Sequence, residues 1–307
     1  MGSAGSIAVV GASGQVARAL QRAGGWRGVK VVASGRPETD IADPVSVMAL
    51  LLRARPRLVI NAAAYTAVDK AESEPGLACR INAEGPGQLA RICALNDIPL
   101  IHLSSDYVFD GAKPAPYVET DAPAPLGVYG ASKLAGEDAV RSEHARHIIL
   151  RTAWVYGPDG SNFVKTMLRL GAEREELRVV DEQVGAPTSA RDIAEAILDI
   201  AGRLEAFPSP HLWGTYHLTA TGSTTWHGFA AEIFRHAAAT GMRTPRLVAI
   251  PASAYPAPAR RPAHSVLSSA KISAAFGIRL PHWRTSLQRD LLAIVEVMRR
   301  SSRVEAA

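Results

Sequence analysis

Hydrophobic residues along the chain fall into short blocks separated by amphipathic stretches. Ile7-Ala8-Val9-Val10 is a continuous apolar run, the length of one strand buried on both faces. Similar blocks occur at residues 29–33, 58–60, 100–103 and 148–151. Between them apolar positions recur every three or four residues. This pattern predicts helices after Gly14, over 44–55, over 72–95 with a break at Gly85-Pro86, and from Tyr129 to about Arg146. Asp43 reads as the cap of the second of these, with Pro44 in its first turn. Strand and helix in strict alternation predict an α/β fold, a doubly wound parallel sheet of the Rossmann type.

After Arg151 the rhythm changes. A helix is expected over 162–172, a short strand at 177–180, a loop over 181–188 and an amphipathic helix over 191–202. A strand at 214–218 is expected to return to the main sheet. A helix over 226–239, a proline-rich extended segment over 255–262 and a final helix over 285–299 follow. The expected division is a dinucleotide-binding domain over 1–152, rejoined by about 190–220. A smaller α+β substrate-binding domain would take mainly 153–189 and 221–307.

Composition narrows the function classes. With 307 residues, 47% hydrophobic and 21% charged, the chain can bury a sizeable core. The net charge of +5 is mostly scattered, apart from Arg260-Arg261 and Arg299-Arg300. No basic stripe is interleaved with aromatic residues, so a nucleic-acid partner is not expected. No apolar run approaches the roughly 18 residues of a membrane span. The only cysteines, Cys79 and Cys93, fall in predicted helices and read as reduced packing residues. Residues 1–6 lack a basic stretch followed by an apolar one, so a cytoplasmic location follows by elimination.

The first strand runs straight into Gly11-Ala12-Ser13-Gly14-Gln15-Val16-Ala17. Gly11 and Gly14 permit a tight turn that lets the backbone approach a phosphate. The helix starting near Gln15 points its free amides at that phosphate, and Ala17 is small enough for close helix–strand packing. The second strand ends in Ser34-Gly35-Arg36, where NAD-preferring sites commonly carry an acid. Arg36, helped by Ser34, can instead pair with the 2′-phosphate of NADPH. Asp40 and Ile41 would border the adenine. Ala62, Ala63 and Ala64 close the third strand with side chains small enough for a cofactor to pass over the sheet.

Tyr129 and Lys133 are four residues apart, so on a helix they share one face. An ammonium beside a phenol is expected to lower the phenol's pKa from its usual value of about 10. Such a tyrosine can give a proton to a developing alkoxide. Ser105 ends the fourth strand and can hold the same oxygen. A serine, a tyrosine and a lysine placed downstream of a glycine turn point to redox chemistry at a carbonyl. His102, in the same strand, reads as a core residue.

The chain resembles the dTDP-4-dehydrorhamnose reductase family of extended short-chain dehydrogenases/reductases. The glycine turn carries the resemblance together with Asn61-Ala62-Ala63-Ala64-Tyr65-Thr66-Ala67-Val68-Asp69-Lys70-Ala71-Glu72 and Asp106-Tyr107-Val108-Phe109-Asp110-Gly111. So do the Tyr129 motif, Arg151-Thr152, Trp154-Val155-Tyr156-Gly157, the run from Asn162 to Leu170, Gly185-Ala186-Pro187-Thr188, Tyr216-His217-Leu218 and Arg261-Pro262. The resemblance implies that NADPH, or NADH in its place, reduces the 4-keto group of a dTDP-4-keto-6-deoxysugar, dTDP-4-dehydro-L-rhamnose, to give dTDP-L-rhamnose. Tyr129 would donate the proton, Lys133 would hold the ribose and tune Tyr129, and Ser105 would bind the keto oxygen. Val68, Asp106, Tyr107, Trp154, Asn162 and Gln183 would contact the substrate.

Some members of that family bridge a dimer with magnesium through glutamates. The matching positions here are Ala19 and Arg191, so no metal is expected, and the protein is read as a monomer or weak homodimer. Gly127 stands where the family usually has asparagine, and Val266 where it often has arginine. Two alternatives stand beside this reading. One is a ketoreductase for another nucleotide-activated deoxysugar. The other is a dinucleotide-binding regulatory subunit of the methionine adenosyltransferase type, which turnover of a ketone substrate would exclude.

Overall fold

The computed structural model describes residues 5–305. The expectation about the start of the chain falls largely on residues 1–4, outside the described residues. The first half alternates as the hydrophobic pattern predicts. Strands β1 (Ser6–Val10), β2 (Val31–Ser34), β3 (Pro56–Asn61), β4 (Leu100–Ser105) and β5 (His147–Thr152) are joined by helices. These are α1 (Gln15–Trp26), α2 (Pro44–Ala54), α3 (Val68–Ala71), α4 (Pro75–Cys79), α5 (Gly85–Leu95) and α6 (Val128–Glu143). Asp43 caps α2, accepting from the Val45 and Ser46 amides, with Pro44 in the first turn.

The second half adds β6 (Val155–Tyr156), α7 (Phe163–Glu173), β7 (Glu176–Val180), β8 (Val184–Gly185), β9 (Thr188–Ser189) and α8 (Ala190–Ala206). It closes with β10 (Gly214–His217), β11 (Thr224–Thr225), α9 (Trp226–Ala239), β12 (Arg246–Ile250), α10 (Ala270–Phe276) and α11 (Trp283–Glu305).

Six strands form one parallel sheet in the order β10-β5-β4-β3-β1-β2. Side chains alternate across it. Ile7, Val9, Leu58, Ile60, Ile148 and Leu150 pack with residues of α1 and α8. Ala8, Val10, Val59, Leu100 and Ile149 pack with α2, α5 and Val140 of α6 on the other face. Burial on both faces explains why the strands read as continuous apolar runs. The chain crosses from β1 to β2 and then returns to place β3 on the other side of β1. That reversal opens a crevice at the carboxyl ends of β1 and β3. A separate core gathers Tyr156, Val164, Leu168, Phe229, Ile233, Trp283 and Leu287. Short ladders lie in this second half, among them the parallel pair β7–β12.

The expected break at Gly85-Pro86 is absent. The chain runs from α4 through a π-helical turn, Arg80–Glu84, directly into α5, and Gly85 keeps helical angles. A proline ring clashes with the carbonyl four residues earlier, here Asn82, unless that carbonyl is displaced. Gly136 of α6 gives it room: a Cβ there would lie 2.0 Å from the Asn82 oxygen. Strand β12 and helix α10 are not among the expected elements; the apolar run Leu247-Val248-Ala249-Ile250 is a signal that could have marked β12, of which only Ile250 is buried. Among the described residues no helix is long and apolar enough to cross a membrane.

Candidate active site

The turn after β1 is built around Gly11. Its φ is +102°, and a Cβ would lie 2.6 Å from the Ala63 amide nitrogen, so only glycine lets the turn press against the end of β3. Gly14 precedes α1 in an extended conformation, with no side-chain cap and no acid in the first turn. The first amides of α1 therefore keep their capacity for an anion. A cleft of about 390 Å³ opens here, lined among others by Gly11, Ser13, Gly14, Arg36, Asp40, Ile41 and Ala62 to Ala64. The Asn61 side chain shapes its floor, since Oδ1 accepts from the Ala63 amide at 3.0 Å while Nδ2 contacts His102 Nδ1 at 2.9 Å. Burial, and then the charge of Lys133, hold His102 well below its ordinary pKa, so it is a neutral core residue.

A basic corner adjoins the cleft beyond β2. Arg36 and Arg53 line it together with Ser34, whose hydroxyl lies 2.8 Å from Thr39 Oγ1 and 3.5 Å from Arg53 Nη2. Sequence reading found Arg36 and missed Arg53, which α2 brings back over the end of β2. Val16 turns its side chain into the core and does not line the cleft.

Ser105, Tyr129 and Lys133 converge at the end of β4. The Ser105 hydroxyl lies 3.1 Å from Asp106 Oδ1 and is close enough to Tyr129 to influence its phenol. Lys133, 2% exposed, donates to the Leu103 carbonyl at 2.7 Å. The expected lowering of the phenol's pKa is not found. Protein packed around the Tyr129 hydroxyl pushes it up to about 12, with the Ser105 hydroxyl opposing the shift and the Asp106 charge adding to it. Burial also lowers Lys133 to about 8, against a raising influence from Glu137. Desolvation thus outweighs the attraction the spacing suggested, and the phenol is held protonated.

Lys133 rests on a buried polar network that sequence reading missed. Glu137, the next residue along the same face of α6, takes two bonds from Arg151, at 2.8 and 2.7 Å, and one from the Ser104 hydroxyl at 2.6 Å. Burial raises the Glu137 pKa, but Arg151 and its other partners prevail and hold it below the usual carboxylate range. Asn82 joins α6 to the cleft, bonding both the Tyr65 backbone and the Ser132 hydroxyl. The only signal of these residues in the sequence is a charged or amide group on a helix's buried face.

The residues expected on the substrate side do not all converge. Tyr107 meets Tyr129 edge to face, with ring centroids 5.6 Å apart. Together with Val68, Glu72, Gly127 and Pro262 they line a pocket of about 10 Å³. Asp106 is buried beside Ser105, and burial pushes its pKa up to about 6 against the opposing influence of the Ser265 and Ser105 hydroxyls. Asn162 is committed elsewhere: it caps α7 through Lys165 N–H and donates to Gln15 Oε1 at 3.0 Å. Gln15 also reaches the Val155 carbonyl, so two residues expected to serve different ligands hold each other. Trp154, at φ +48°, stacks on Trp226 with ring centroids 3.5 Å apart. Gln183 is half-buried just before β8. Neither lines the Tyr129 pocket.

A six-stranded parallel sheet with a glycine turn at its switch point is the architecture of the extended short-chain dehydrogenases/reductases. Residues 5–295 match the RmlD substrate binding domain family, and the chain belongs to it. It is 46% identical over 289 residues to the dTDP-4-dehydrorhamnose reductase of Sinorhizobium fredii, covering 94% of this chain and 97% of that protein. It is 45% identical over 294 residues to the Escherichia coli K12 protein of the same name, covering 93% and 97%. A crystal structure of dTDP-4-dehydrorhamnose reductase from Bacillus anthracis in complex with NADP aligns with a TM-score of 0.87 at 36% identity, covering 94% and 99%.

Proposed function

We propose that the protein reduces the 4-keto group of dTDP-4-dehydro-L-rhamnose to give dTDP-L-rhamnose, with NADPH as reductant. The observation that carries this is the placement of a glycine-built cleft and the Ser105, Tyr129 and Lys133 set along the carboxyl edge of one sheet, in a chain so similar to reductases of that name. The cleft fits a dinucleotide. Its turn excludes a Cβ at Gly11, the uncapped start of α1 suits a pyrophosphate, and Arg36 and Arg53 suit a 2′-phosphate. Asp40 and Ile41 would border the adenine, and Ala62 to Ala64 would lie under the nicotinamide half. Bound there, NADPH supplies the hydride that reduces the ketone carbon.

The chain's own part is proton supply and orientation. Tyr129, protonated throughout the neutral range, gives its phenolic proton to the ketone oxygen as negative charge develops there. Ser105 turns its hydroxyl from Asp106 to the same oxygen and steadies that charge. Lys133, one turn along α6, supplies the positive charge that makes the phenolate tolerable until solvent returns a proton. The Leu103 carbonyl keeps its amine in place. Free Cys79 and Cys93 are compatible with reduction in the cytoplasm.

Steady oxidation of NADPH with a panel of nucleotide 4-keto-6-deoxysugars tests the proposal. The dTDP-4-dehydro-L-rhamnose substrate is expected to give the highest kcat/KM, with dTDP-L-rhamnose as product. Tight NADPH binding without turnover of any ketone would instead favour the regulatory subunit.

A further inference from the structure

Helix α6 carries both Tyr129 and Lys133, yet its own sequence does not cap it. Gly127, at φ −151° and ψ 177°, holds the extended backbone of a cap residue but has no side chain to offer. The Glu72 carboxylate, at the end of α3, fills the role instead: its Oε1 accepts from the Val128 amide at 2.9 Å. The missing side chain and the distant carboxylate are one device, because a Cβ at Gly127 would lie 2.5 Å from that oxygen. An asparagine at 127 would oblige the flexible end of Glu72 to shift from its present place.

We propose that Glu72 is a positioning residue of the active site, which fixes the first turn of α6 and thereby the place of the Tyr129 hydroxyl. The inference rests on the reductase reading above. Tyr129 lies between two held residues. On one side Val128 is bonded to Glu72. On the other Gly130 packs so closely on Tyr107 that a Cβ would lie 2.1 Å from the Tyr107 carbonyl oxygen. Glu72, Tyr107 and Tyr129 line the same pocket, so a shift of the turn moves the phenol relative to the ketone. The carboxylate also sits at the positive end of the helix dipole, which strengthens its hold. Its carrier is itself anchored: Asp69, on α3, accepts from the Arg261 guanidinium at 2.7 Å and from the Ala259 amide at 3.3 Å.

Four variants test this: Glu72→Ala, Glu72→Gln, Gly127→Asn, and Glu72→Ala combined with Gly127→Asn. Each is read by kcat and KM for the ketone, Kd for NADPH, and hydrogen exchange at Val128 and Tyr129. Glu72→Ala is expected to lower kcat by about tenfold and speed the Val128 exchange, with the NADPH Kd unchanged. Glu72→Gln keeps the acceptor and should retain most of the turnover. Gly127→Asn alone should impair turnover by displacing Glu72. The double variant lets the asparagine cap the helix and should recover kcat to within about threefold of the parent. Full turnover in Glu72→Ala, equal losses in Glu72→Gln and Glu72→Ala, or a double variant no better than Glu72→Ala would each overturn the proposal. A parent protein that reduces no ketone would sink the functional reading. An unchanged Val128 exchange in Glu72→Ala would sink this inference alone.

Discussion

The cofactor cleft and the ketone pocket follow each other along the segment from Ala62 to Glu72 but are made differently. The cleft, about 390 Å³, is shaped by backbone: a left-handed glycine, a row of alanines and an uncapped helix start, all fixed to a sheet buried on both faces. The pocket, about 10 Å³, is barely the space of one water and is shaped by side chains from separate segments. Its roof, Ala259 to Pro262, belongs to no strand or helix and is tied down by Arg261 to a half-exposed Asp69. A site made of backbone is preformed. A site closed by one partly exposed ion pair opens at small cost. The cofactor side should therefore tolerate changes to the ketone side, and the reverse should not hold.

Tyr129→Phe gives the largest separation of the two. It removes only the acid, so kcat should fall by about 10²–10⁴-fold while the NADPH Kd measured by calorimetry stays the same. Comparable losses in both would mean that the two sites are one. Lys133→Met comes next, with turnover down about a hundredfold and, unlike most substitutions, a gain in stability. The folded pKa of about 8 lies below the ordinary 10.5. Between those pH values the unfolded chain holds a proton that the folded protein has released, so stability rises with pH across that window. Below about pH 8 both forms are protonated and the buried charge costs on the order of 3 kcal/mol, partly offset by its bond to Leu103. The variant should melt higher than the parent at pH 7, with the gap closing from about pH 8 to 10.5. A lower melting temperature at pH 7 would show that Lys133's contacts outweigh its desolvation.

What the sequence made legible follows the same contrast. Strands buried on both faces read as apolar runs, and the glycine turn and the Tyr129–Lys133 spacing are local patterns, so β1 to β5 and the catalytic candidates could be found from spacing alone. The π-helical turn before Pro86 could not, because it depends on Gly136 of another helix making room for the Asn82 carbonyl. Glu137, Asn82, Arg53 and Glu72 act through partners 14 to 56 residues away, where no periodicity points. The pKa of Tyr129 lies beyond a local pattern for a related reason. Spacing reports a neighbouring charge, whereas desolvation depends on everything folded around the hydroxyl.

Smaller effects separate the ends of the two sites. Arg36→Ala should weaken NADPH by about tenfold with little change for NADH, and Arg53→Ala should do the same more weakly, since each arginine offers one charged contact to a 2′-phosphate. Equal losses for the two cofactors would remove that corner from phosphate recognition. Asp69→Asn should have the smallest effect. It removes the charge that draws Arg261 but leaves an oxygen for the Ala259 amide. Because the pair is partly exposed, the fold should lose about 1 kcal/mol or less, and the melting temperature should barely move. The roof from 259 to 262 would then have to be ordered at the expense of substrate binding, so the ketone's KM should rise a few-fold while kcat and the NADPH Kd hold. A matching change in NADPH affinity would show that the pocket's roof also supports the cleft, and the contrast between the two sites would fail.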